Sequence, residues 1–98
     1  MKSLHTREYT ALKQWLIRAR EAAGLTQQQL ADRLGKPQSY VSKIESGERR
    51  IDPVELVRHA QALGADPNAA ITAIKKIYNP SPSGRGVAAR ANLRRNSR

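Results

Sequence analysis

Between Leu25 and Arg49 the chain reads LTQQQLADRLGKPQSYVSKIESGER, two short helical patterns folded around one glycine. Thr26 and Gln29 form a T-x-x-Q capping box, in which each side chain bonds the other's backbone N–H, and Leu25 and Leu30 occupy the two positions of a hydrophobic staple. Leu30, Ala31 and Leu34 form the inner side of the first pattern, which Gly35 closes. The second pattern runs from about Pro37 to Ser46. Proline fits a first helical position, because that N–H has no partner within the helix. A helix advances about 100° per residue, so with Val41 inward, Ile44 lies about 60° to one side and Glu45 about 40° to the other. Ser39, Ser42, Lys43 and Ser46 fall on the far half, with Gln38 at the N-terminal end.

The remaining segments read as helices too. The first spans roughly Thr6 to Ala23, with Leu12, Leu16, Ala19 and Ala23 as its stripe, Trp15 beside them and Gly24 at its end. In "DPVE", Asp52 is an N-cap, Pro53 a first helical residue and Glu55 the far half of a box-like pair. Leu56, Val57, Ala60 and Leu63 follow as an inward stripe, closed by Gly64. Asp66-Pro67 opens a fifth helix with Ile71, Ile74 and Ile77 inward, and Asn79-Pro80 stops it. No segment alternates like a strand. The expectation is an all-α, five-helix domain over residues 1–78, followed by a disordered basic tail over 79–98 rich in Pro, Ser, Gly and Arg.

Charge narrows the function. The 98 residues carry a formal balance of +10. The tail holds five arginines and no acid, and the preceding segment still has thirteen bases against eight acids, so both parts attract polyanions. With no cysteine, disulfides and thiolate metal sites are excluded. His5 and Glu8 of "HTRE" are too few to make a metal site, and His59, beside Arg58, reads as a surface or packing residue. Asp52 and Glu55 are explained as helix caps, and no glycine-rich phosphate loop follows a strand. No catalytic residue, cofactor or metal is therefore expected. A membrane surface is a poor partner, because Val87 and Leu93 are the only sizeable apolar groups in the tail. The absence of a spanning run or a signal-like N-terminus leads to the expectation of a cytoplasmic protein.

The outward face of the Pro37–Ser46 segment has two readings. It is either an ordinary solvated surface or a surface made to approach and hydrogen-bond another molecule. Small hydroxyls, an amide and a lysine are the groups the DNA major groove accepts: an amide pairs with adenine, lysine with guanine, serine with either.

The run QQQLADRLGKPQSYVSKIE, with Ala31 at a small-residue position, Gly35 in the turn and Val41 and Ile44 at apolar positions, resembles the helix-turn-helix domain of the Cro/phage-repressor (XRE) type. "GLTQ", "ESGER" and "ALGADP" are similar to this family too, and the resemblance covers roughly Tyr9 to Ile77. It implies that the second helix of the pair enters the DNA major groove. Gln38, Ser39, Ser42 and Lys43 are then the base-edge candidates. Gln27 matches a family glutamine at a phosphate, and Lys36, Tyr40, Ser46, Arg49 and Arg50 are further phosphate candidates. For Arg49 and Arg50 the alternative reading is simple solvated charge. Lys36-Pro37 departs from the Ser or Thr cap common in the family. Glu45, too far inward to stand alone, matches a family glutamate paired with an arginine here at position 20, which implies an Arg20–Glu45 ion pair.

The expected function is a transcriptional regulator, a repressor binding a palindromic operator in double-stranded DNA as a homodimer. Leu63, Ile71, Ile74 and Ile77 are the dimer-interface candidates, unless they close the monomer core. The rival is a protein-binding role, as an antitoxin or an adapter.

Overall fold

The computed structural model describes residues 6–78. Five helices follow in order: α1 (Arg7–Ala22), α2 (Gln27–Leu34), α3 (Gln38–Ser46), α4 (Pro53–Leu63) and α5 (Pro67–Ile77). No strand occurs among the described residues. The basic segment beyond Tyr78 and His5 lie outside them.

Local chemistry sets the boundaries. Thr6 caps α1 by accepting from the Tyr9 N–H at 3.0 Å. The Thr26–Gln29 box is closed at both ends, at 2.9 and 3.0 Å. Asp52 and Glu55 form a second box before α4, at 3.0 and 2.8 Å, and Asp66 caps α5 through the Asn68 N–H. Gly35 has φ +68°, a left-handed conformation that lets the Lys36 N–H turn back to the Ala31 carbonyl at 3.0 Å. Pro37 departs from its expected place. It is the N-cap of α3, with an extended ψ of 157°, so Gln38 is the first helical residue. The proline ring fixes φ but leaves ψ free, so it suits the cap as well as the first turn.

Two apolar clusters hold α3. Tyr9, Leu12, Leu16, Ile44, Ile51, Leu56 and Ala70 form one, and Leu30, Ala31, Val41 and Leu63 the other. Val41 and Ile44 are fully buried in different clusters, so the pitch of α3 is set from both sides. α5 packs along α1, and α2 against α3.

Several apolar residues sit elsewhere than expected. Ala23 is exposed as the C-cap of α1, and Leu34 is half-buried. Val57 and Ile71 are 40% and 46% exposed. Each lies about 100° round its helix from a buried neighbour, Leu56 or Ala70, on a flank with no neighbouring element to cover it. Leu63 lies in the monomer's own core, Ile74 is half-buried against it and Ile77 is half-buried. For Leu63, closing the monomer core is therefore the reading that holds. No helix among the described residues is long and apolar enough to cross a membrane.

Candidate nucleic-acid interface

The outward face of α3 presents Gln38, Ser39, Lys43 and Ser46 to solvent, with Ser42 half-buried at its margin. The serines are not equivalent. Ser42 and Ser46 donate their hydroxyls to the Ser39 and Lys43 carbonyls, at 3.3 and 3.2 Å. Ser46 also accepts from the Glu48 N–H at 3.3 Å. Only the Ser39 hydroxyl has no bond to a described residue.

Gln38 is tethered. Its Nε2 donates to Gln27 Oε1 at 2.7 Å, and Gln27 Nε2 donates to Glu45 Oε1 at 2.9 Å. Arg20 completes the relay, its Nε donating to Glu45 Oε2 at 2.8 Å and its Nη2 to Oε1 at 3.1 Å. Arg20 Nη1 also donates to the Leu25 carbonyl at 2.8 Å. The carboxylate only accepts, so it dictates the direction of every amide in the chain. Glu45 is buried, and this network supplies the partners its charge requires. The hydrogen bonds to Glu45 raise the Arg20 pKa further. The expected Arg20–Glu45 pair is thus present, and the network continues through Gln27 to the N-terminal end of α3. Gln27 was expected at a phosphate. Its amide is committed to the relay at both ends, while its backbone N–H stays at the first position of α2.

Basic groups flank α3 at both ends. Lys36 Nζ lies 5.3 Å from the Tyr40 ring centre and the Arg49 guanidinium 4.9 Å from it, within cation–π range. Arg49 is not freely solvated. It makes a two-pronged pair with Glu55 at 3.0 and 2.8 Å and donates to the Arg50 carbonyl at 2.8 Å. That guanidinium, then the capping bond from the Asp52 N–H, holds the Glu55 carboxyl down at about 2. The Arg50 side chain is exposed, its guanidinium 5.0 Å from the Tyr9 ring centre.

Three residues support the site in ways the sequence did not signal. Tyr9 is buried and its hydroxyl accepts from the Ile51 N–H at 3.0 Å, bracing the loop that carries Arg49 and Arg50. Glu55 does more than cap α4, because it also orients Arg49. His59 is fully buried, its ring 6.0 Å from that of Tyr40, and neither ring nitrogen has a hydrogen-bond partner among the described residues. Burial pushes its pKa down. Among the described residues no group of three or more His, Cys, Asp or Glu is placed to hold a metal ion.

A helix-turn-helix family model matches residues 16–69. The chain is also similar to the solved structure of an XRE-family like protein from Pseudomonas syringae pv. tomato str. DC3000. The two share 44% identity and a TM-score of 0.71, over 80% of this chain and 95% of the other. No curated protein matches significantly.

Proposed function

The chain belongs to the XRE family of helix-turn-helix proteins, DNA-binding regulators rather than enzymes, and from that premise we propose a repressor that binds a palindromic operator as a homodimer. α3 enters the major groove. Gln38, Ser39, Ser42 and Lys43 meet base edges, and Lys36, Tyr40, Ser46, Arg49, Arg50 and the Gln27 end of α2 meet phosphates.

The observation that carries this reading is the tether on Gln38. One of its N–H groups is spent on Gln27, which leaves one donor and the carbonyl acceptor on the same amide. Adenine offers the complementary pair in the major groove, an acceptor at N7 and a donor at N6. A pre-oriented amide also loses less side-chain entropy on binding than a free one.

The dimer reading rests on α5. Ile71 and Tyr78 are 46% and 57% exposed on one flank, and half-buried Ile77 precedes Tyr78 in the chain. A two-fold pair of chains meeting there sets two α3 helices on one side of DNA, with half-sites about 34 Å apart. The test is selection from random double-stranded DNA. An enriched palindrome with half-sites one helical turn apart is expected. Binding without an enriched sequence overturns the operator reading.

A further inference from the structure

The structure also offers a third face, distinct from the reading helix and from the exposed flank of α5. Between α1 and α5 runs an open groove of about 620 Å³, lined by Trp15, Arg18, Asp66, Asn68, Thr72 and Lys76, with Ala69 and Ala73 contributing small apolar surface. Wheel positions locate it. On α1, with Leu16 inward, Arg20 and Lys13 lie about 40° and 60° to the α3 side, whereas Trp15 and Arg18 lie about 100° and 160° to the other. On α5, with Ala70 inward, Lys76 and Thr72 lie about 120° and 160° to one side, while Ile71 and Tyr78 lie about 100° and 80° to the opposite side. The groove thus stays open while α3 is in DNA and the Ile71 flank is covered.

We propose that this groove docks an acidic segment of a partner protein, with an apolar side chain against Trp15 and carboxylates at Arg18 and Lys76. Neither cation forms an ion pair with a described residue. Asp66, the single acid in the lining, has its carboxylate engaged in capping α5. The half-buried indole, packed on the core, provides an apolar wall. A nucleic-acid backbone has no use for such a wall. The chain's own basic segment, with five arginines and no acid, is repelled by Arg18 and Lys76. The site is independent of the operator reading, since it shares no residue with it.

Trp15 is the only tryptophan in the chain, so its fluorescence reports this groove directly. The full chain is titrated at physiological salt with a capped amphipathic peptide of glutamate, alanine and leucine. The same peptide with lysine for glutamate, and a single-stranded oligothymidylate, serve as comparisons. A saturable shift of Trp15 emission is expected with the acidic peptide alone. The double variant Arg18→Glu/Lys76→Glu should weaken that binding by about tenfold or more, and Lys43→Glu/Arg50→Glu should change it by less than about twofold. Unmoved emission overturns the proposal. So does equal weakening by both variants, which marks non-specific attraction to the basic chain, or a stronger response to the oligonucleotide. DNA binding by Arg18→Glu/Lys76→Glu, followed separately, distinguishes loss of the groove from loss of the reading surface.

Discussion

Gln27 accepts a 2.7 Å hydrogen bond from Gln38, so the first residue of α3 is held by the first residue of α2. The bond continues into a buried carboxylate, Glu45, and from there to Arg20 on α1. A residue exposed at the N-terminal end of α3 is thereby fixed by the core of the domain.

Removing the middle of that relay separates positioning from folding. Gln27→Ala leaves Arg20 on Glu45, so stability should fall by about 1.5 kcal/mol, the low end for a hydrogen bond to a charged group. Gln38 then loses its orientation, and affinity for the selected operator should fall several-fold while binding to unrelated DNA changes little. Urea denaturation and fluorescence anisotropy measure the two effects.

The Arg20–Glu45 pair is nearly buried, with side-chain exposures of 13% and 5%. Glu45→Ala strands a buried guanidinium and should destabilise the domain by about 3 kcal/mol. The double variant Arg20→Met/Glu45→Leu replaces both charges by apolar groups and should lose less. Denaturation midpoints of the three chains check the order.

Acid should weaken the domain in two stages. His59 has a lowered pKa in the fold, so the unfolded chain takes its proton first. Stability is complete above about 6.5, the ordinary histidine value, and declines as pH falls below it. Glu55 is depressed from 4.5 to about 2. Its contribution is present above 4.5 and is lost as pH falls towards 2. Melting temperature followed against pH should show both stages, and His59→Phe should abolish the upper one.

The parts of the domain governed by neighbouring residues were legible in the sequence. Thr26 with Gln29, Asp52 with Glu55 and Gly35 in its turn act within a few residues of one another. The wheel separated Val41 and Ile44 from the polar face of α3 for the same reason. Contacts between distant segments were not legible. Nothing in the order of residues ties the Tyr9 hydroxyl to the Ile51 N–H, or turns the Gln27 amide inward between Gln38 and Glu45. His59 lies beside a charged residue, yet it is buried because α4 presents it to Tyr40. Val57 and Ile71 fit an apolar stripe by spacing, and only the packing of α4 and α5 decides that both remain exposed.

That exposure separates the apolar residues of α4 and α5 by consequence. Ile71→Lys should leave folding intact and shift the chain from dimer to monomer in sedimentation equilibrium. Leu63→Ala, in the core, should cost about 2–5 kcal/mol and show itself by melting. A monomeric wild-type chain at concentrations that saturate the operator contradicts the α5 interface.

The most direct measurement is the affinity of wild type and Gln38→Ala for four operators that differ only at the base pair facing Gln38. Wild type should prefer adenine by about 1–3 kcal/mol, and Gln38→Ala should bind all four alike. Wild-type binding indifferent to that base pair, or a preference that survives Gln38→Ala, contradicts reading by a tethered Gln38.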